Sequence, residues 1–422
     1  MKISKLNIES YRHLQNLDFD FTYQTGERKG QPLDKICFIG QSATGKTGLL
    51  ELIYEHISHI LNNEFKKSFF LENSKLFNGK IDILVNKKTL SSKNNEIYYD
   101  NEKYEFNDSK KSVTDLITRV KNGNAFYFQA SLISNQNIEI FTLNPIDLLE
   151  KYRYEILDIR KDFKSNGIKF NEDINPNIWL FLLNDILHYR KNFTQIMTEL
   201  VHKGYIADAK KFRTEYEKWQ KTNPNALDFF AEKLNPILEK LNLEVDLVNT
   251  EYSIPIKNKR TDEIIPIQNT STGTKGLLLS FLPLFKLDTK DSIIIIDEPE
   301  RSLYPDMQMD LMDHYKKLAR DAQFIVATHS PFIAASFEAE ERFILYFDEE
   351  GKVAVRRGSS PIGDDPNDML KNDFGVNYYN KYGEEAYQKY LHLKEKIANE
   401  SDPKKKKELL LETVKLGDTY NF

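Results

Sequence analysis

The run Gly40-Gln41-Ser42-Ala43-Thr44-Gly45-Lys46-Thr47 constrains this chain more than any other feature, because it fits the G-x-x-x-x-G-K-[ST] pattern in full. Glycines at this spacing let backbone N–H groups turn inward around an anion, and a helix that starts at the loop adds its positive end. The flanks agree with that geometry. Lys35-Ile36-Cys37-Phe38-Ile39 is a short apolar run suited to a buried parallel strand, and Leu49, Leu50, Ile53, His56, Ile57 and Ile60 recur at helical spacing. The expectation is strand, phosphate loop, helix. Gly40 to Thr47 would cradle the phosphates of ATP, Lys46 would reach the β and γ phosphates, and Thr47 would ligate Mg²⁺.

A site of this kind needs acids to complete it, and the second half of the chain offers them. Ser292-Ile293-Ile294-Ile295-Ile296-Asp297-Glu298 is a strand of four isoleucines ending in two carboxylates. Acids there are costly unless they meet a cation or water, although such a strand can also simply exit to solvent. Asp297 is the candidate for the Mg²⁺ shell, and Glu298 for the general base that orients the attacking water. Another apolar strand, Phe324-Ile325-Val326-Ala327-Thr328, ends at His329. A lone histidine is often structural, but a parallel neighbour of the acidic strand would put His329 where it senses the γ-phosphate. Thr270-Ser271-Thr272-Gly273-Thr274-Lys275-Gly276 places small hydroxyl residues and glycine at the start of the Leu277-Leu278-Leu279 helix, which makes a helix cap or an anion site.

The rest of the chain supplies the frame. Met1 to Phe21 alternates apolar and polar residues twice around Ser10-Tyr11-Arg12-His13, which reads as a hairpin. Lys80 to Phe106 reads as antiparallel strands broken by a polar turn from Ser91 to Glu96. From Asn144 to Glu244 the pattern is helical, without a sustained heptad repeat. Strands return near Val245 to Ile256 and Glu263 to Ile267, and the final third alternates helix and strand through Leu277–Phe285, Ser292–Ile296, Met307–Ala319, Phe324–Ala327 and Arg342–Phe347. That order argues for an α/β protein with a mainly parallel sheet.

Composition excludes several function classes. No run approaches the ~20 apolar residues of a membrane span, so a cytoplasmic protein without membrane contact is expected. The single cysteine, Cys37, rules out an internal disulfide and a thiolate metal site. A net charge of −5 gives no global basic signature, and the basic run Lys404–Lys407 suits a solvated helix face better than a binding surface. His56 and His59 stand at i, i+3 without a third ligand, and Asp364, Asp365 and Asp368 suit a turn followed by a capped helix better than a metal site. There is no HNH pattern, Toprim-like acidic set or other coherent nuclease motif.

Taken together these motifs resemble the ABC ATPases of the SMC, RecF and OLD branch. The resemblance covers about the first 140 residues and everything after Val245. It implies a P-loop ABC-ATPase fold with a mixed sheet and an inserted helical subdomain: residues 1–143 as the N-terminal part, 144–244 as the helical insertion, 245–358 as the C-terminal part, and 359–422 as a helical extension. It also implies that Arg12, in the hairpin Leu6 to Leu14, lies near nucleotide, and that Gln129, after Phe126-Tyr127-Phe128, is the Q-loop metal and water ligand, with Gln136 close by. Ser271 and Gly273 would form the signature motif, acting on nucleotide held by the opposite subunit of a homodimer, and Glu298 to Pro305 the D-loop crossing the interface. Two departures matter. Ser271-Thr272-Gly273-Thr274-Lys275 lacks the paired glycines of transporters and is closer to the SxGxK form of the RecF and OLD branch, and the insert is too short for the long coiled coil of chromosome tethers. The tail from Gly358 to Val376 is similar to ATPase subunits of bacterial anti-phage systems such as Septu. That similarity implies an ATP hydrolase acting with a separate nuclease or toxin subunit in antiviral defence; the alternative is a repair or recombination ATPase that binds nucleic acid directly.

Overall fold

A computed structural model of the chain describes residues 1–62, 77–85, 87–93, 96–103, 124–152, 167–376 and 381–420. Its centre is a seven-stranded sheet in the order β16-β15-β3-β14-β13-β8-β9. These strands are β3 (Lys35–Gly40), β8 (Ala125–Phe128), β9 (Gly167–Phe170), β13 (Ile293–Asp297), β14 (Gln323–Ala327), β15 (Arg342–Phe347) and β16 (Val353–Arg357). Every pairing is parallel except that of β15 with β16, so the sheet is mixed.

The apolar runs are continuous because both faces of this sheet are covered. Ile293 and Ile295 point into one core together with Ile36, Phe38 and Tyr127, whereas Ile294 and Ile296 join a second core with Cys37, Ile39 and Phe128. On the first side lie the helix Lys46–Asn62 and the antiparallel strands β1 (Lys2–Tyr11), β2 (Leu14–Asp20) and β4 (Phe77–Val85). On the second lie the helices Asn135–Thr142, Asn177–His202, Ala226–Leu238, Thr272–Lys286 and Leu311–Leu318. A P-loop ABC-ATPase fold, α/β with a mixed sheet and helical regions, is the architecture observed.

β1 and β2 pair from Lys5↔Asp20 to Tyr11↔Leu14, leaving Arg12 and His13 as the turn. Arg12 takes a left-handed φ of 54° there. β4 continues the same sheet through β5 (Lys88–Lys93), β6 (Glu96–Tyr99) and β7 (Glu102–Lys103).

Three sequence expectations need correcting. The polar turn begins later than Ser91: Ser91, Ser92 and Lys93 belong to β5, with Lys93 opposite Glu96. Their polarity is satisfied laterally, since Ser91 Oγ donates to Asp82 at 2.6 Å and Ser92 Oγ meets His56 Nε2 at 2.8 Å. The stretch from Asn144 to Glu244 is not wholly helical, because β9 is a strand of the main sheet. Gly167 there lies so close to the first helix that a Cβ would stand 2.4 Å from Ser58 Oγ. Met307 to Ala319 is two helices, Pro305–Met309 and Leu311–Leu318. Parts of other readings, including residues 104–106, 153–166 and the His59 side chain, lie outside the described residues. Among the described residues no helix is long and apolar enough to cross a membrane, and no three metal-ligating side chains gather. Asp365 caps the helix Pro366–Asn372 by accepting from Asn367 N at 2.8 Å.

Candidate nucleotide site

Parallel strands deliver their C-terminal ends to one edge of the sheet, and four of them carry the candidate residues. β3 ends at Gly40, β8 at Phe128 just before Gln129, β13 at Asp297, and β14 at Ala327 just before Thr328 and His329. The register is tight: Ile296 pairs with Phe128 and with Val326, and Asp297 with Ala327. Gln129, Asp297, Glu298 and His329 therefore emerge side by side from neighbouring strands.

The loop Gly40–Gly45 folds over this edge. Gly40 has φ 153°, and a Cβ would sit 2.2 Å from the Leu345 carbonyl oxygen on β15. Gly45 has φ 91° and Ala43 φ 66°, which turns the loop back on itself before the helix Lys46–Asn62 begins. Thr44 is fully buried, and its hydroxyl donates to Gln41 O at 2.8 Å. Ser42 and Gln41 remain exposed.

Lys46 Nζ donates to the loop's own carbonyls, Gly40 O at 2.8 Å and Gln41 O at 3.0 Å. Burial drives its ammonium pKa down to about 8, against the opposing attraction of Asp297, Glu298 and Glu300. Thr47 Oγ1 donates to Asp297 Oδ2 at 2.9 Å. Burial raises the Asp297 carboxyl to about 6 even though that hydrogen bond favours its charged form. An ammonium and a carboxyl both moved from their ordinary ranges by burial are the kind of perturbed groups that cluster at functional sites. A hydroxyl beside a carboxylate is the oxygen donor set that Mg²⁺ takes, so these residues fit an Mg²⁺–nucleotide complex.

Glu298 has a left-handed φ of 49°, and its N–H is tied to Ala327 O at 2.9 Å. Its Oε1 lies 4.0 Å from His329 Nε2. Burial, then nearby Lys46, lowers the His329 pKa, so the imidazole is neutral over more of the pH range. The hairpin turn covers the other side of the loop: a Cβ on Gly48 would lie 3.4 Å from Arg12 Nη1, and one on Gly45 3.0 Å from His13 Nε2. Arg12 is oriented by Glu51 at 3.0 Å.

Ser271 caps the helix Thr272–Lys286, its Oγ accepting from Thr274 N at 3.1 Å. Gly273 packs on the loop after Glu298: a Cβ there would be 2.5 Å from Ser302 O and 2.9 Å from Leu303 Cδ2. Within one chain Gly273 thus lies against the loop Ser302–Leu303. A cavity of about 310 Å³ separates the Gln129 loop from this helix, lined by Gln129, Ser131, Gly273, Asp297, Glu298 and Arg301 among others.

One residue of the site was expected only as part of the stretch Glu298 to Pro305, with no role of its own. The half-buried Glu300 accepts from the backbone N–H of His329 at 2.8 Å through Oε1, and desolvation raises its carboxyl pKa. The signal available was a second glutamate two residues after Glu298, yet nothing in the sequence said which backbone it would meet.

The profile of the AAA ATPase domain family matches residues 1–334. The "Retron Vc95 probable ATPase" of Vibrio cholerae serotype O1 biovar El Tor is 24% identical over 232 residues, 54% of this chain but only 44% of that relative's own length. Among solved structures, an SMC head bound to the C-winged helix domain of ScpA superposes with a TM-score of 0.45 at 12% identity, covering 85% of this chain and 98% of that one. An SMC head with an extended coiled coil, bound to the C-terminal domain of ScpA derived from Pyrococcus furiosus, gives 0.41 at 13%, with coverages of 85% and 96%. The SMC head domain from Thermotoga maritima also gives 0.41, at 12% identity, with coverages of 85% and 100%.

Proposed function

The chain belongs to the AAA ATPase domain family, and from that premise we propose that it hydrolyses ATP between two copies of itself and uses the cycle to control a separate effector. The observation that carries the reading is the meeting of Thr47 and Asp297 at 2.9 Å, with Glu298 and His329 on the adjoining strand ends. Lys46 exchanges its carbonyl partners for β and γ phosphate oxygens, and the N–H groups of Gly40–Thr47 line the phosphate chain. Thr47, Asp297 and Gln129 would hold Mg²⁺, which would supply countercharge to the phosphates. Glu298 accepts a proton from the attacking water, and neutral His329 donates a hydrogen bond at the γ-phosphate end. Arg12 adds positive charge from the hairpin turn.

Ser271 and Gly273 complete the site of the opposite copy, a reading supported by the packing of Gly273 on the loop that follows Glu298. Dimerisation then follows nucleotide, and the motion passes to the segment 144–244, which contacts the partner. Similarity to a retron probable ATPase supports an antiviral role, and the resemblance of the tail to anti-phage ATPase subunits suggests a nuclease or toxin as effector.

The test is Glu298→Gln with Lys46→Ala beside it. Glu298→Gln should bind ATP, lose turnover by about 10²-fold or more, and accumulate as nucleotide-bound dimer. Lys46→Ala should fail to bind ATP. Rapid turnover by Glu298→Gln, or unchanged affinity in Lys46→Ala, defeats the assignment. Co-purification without any nuclease or toxin, together with salt-sensitive DNA binding by the chain alone, counts against effector control.

A further inference from the structure

The C-terminal helices Lys381–Asn399 and Pro403–Tyr420 form a hairpin, tied by Lys389 to Glu412 at 2.8 Å. The second helix turns Leu409, Thr413 and Leu416 inward, and these are fully or partly buried. Its opposite face leaves Leu410, Leu411 and Val414 46%, 62% and 57% exposed. Leu411 and Val414 lie in a row with Lys407 and Asp418, at spacings of four, three and four residues, which is a single stripe along a helix of 3.6 residues per turn. Lys407 and Asp418 are themselves exposed.

This stripe is basic at one end, apolar in the middle and acidic at the other. A two-fold axis midway between Leu411 and Val414 sets Leu411 against Val414 of a second copy and Lys407 against its Asp418, twice over. The matched stripe is about 17 Å long, enough for three helical turns in contact. An anionic partner such as nucleic acid suits a uniformly basic stripe, and Asp418 would repel it. A partner must present the charges in reverse order, and an antiparallel copy of the same helix does so. We propose that this face is a self-association surface through which two chains join hairpin to hairpin as an antiparallel four-helix arrangement. The contact is independent of nucleotide, and alongside ATP-driven head pairing it links chains into assemblies larger than two.

The test is sedimentation velocity on the full chain carrying Lys46→Ala, without nucleotide, so that neither ATP binding nor its absence enters the result. A two-chain mass is expected. Asp418→Lys places like charges together and should raise the dissociation constant roughly tenfold or more. Combining it with Lys407→Asp reverses both ends and should restore the parent affinity, while circular dichroism confirms that each variant keeps its helices. The inference is overturned by a single-chain mass for the parent across the micromolar range, including one that binds a DNA duplex instead. It is equally overturned if the combined variant associates no better than Asp418→Lys.

Discussion

Thr47 Oγ1 and Asp297 Oδ2 are 250 residues apart in sequence and 2.9 Å apart in the fold. That hydrogen bond joins the start of the helix after the loop Gly40–Gly45 to the strand that carries the acids. It exists because β14, between β3 and β13, brings the two strands to one end of a parallel sheet.

Proton linkage follows from the two perturbed groups beside that bond. Asp297 titrates at about 6 and must be a carboxylate to hold a divalent cation, so binding near pH 6 displaces its proton. Lys46 titrates at about 8 and is charged against phosphate, so binding near pH 8 takes a proton up. Calorimetry of Mg²⁺–ATP binding in buffers of different ionisation enthalpy should therefore show net release near the first pH and net uptake near the second. A binding enthalpy that ignores the buffer at both would refute it.

Glu300 should act on turnover through His329. Its carboxylate holds the His329 N–H at 2.8 Å, and Glu300→Ala leaves that donor without an acceptor. We expect kcat to fall about tenfold with KM nearly unchanged, and Glu300→Gln, which keeps an oxygen acceptor, to recover most of it. An equal loss in both variants would point to the charge rather than the hydrogen bond.

Gly273 has no room for a methyl group, because the obstruction is the Ser302 backbone carbonyl. Gly273→Ala should cost about 1–3 kcal/mol in denaturant unfolding as the helix backs away from the Ser302–Leu303 loop. Hydrolysis should drop while ATP binding by the single chain persists. Wild-type stability in this variant would show that the helix shifts freely.

Arg342 and Asp373 form a fully buried ion pair at 2.8 Å, and Asp373 Oδ1 also accepts from Ser359 N and Oγ. Removing one partner strands the other charge in the interior. Asp373→Ala should lower stability by about 3–5 kcal/mol, read as an earlier denaturant midpoint. A shift below about 1 kcal/mol would mean that water reaches the site.

The placing of the candidate residues was partly legible because their motifs are local. Gly40 to Thr47 carries its own turn geometry, and the isoleucine strand before Asp297 announces burial on both faces. Corrections fell where locality fails. β9 is four residues long and is a strand only because β8 offers it an edge. Ser91 and Ser92 look like a turn until Asp82 and His56 satisfy them. Glu300 looks like one more surface acid until β14 brings the His329 backbone to it.

By itself, then, the sequence determined the phosphate loop, the apolar strands and the acids at their ends, since each is encoded by a few adjacent residues and their period. Which strands are neighbours was decided only by tertiary structure, and with it the meeting of Thr47 with Asp297 and the packing of Gly273 on Ser302. Neighbourhood in a sheet is a property of how two cores are filled from both faces at once, and no short window of sequence contains it.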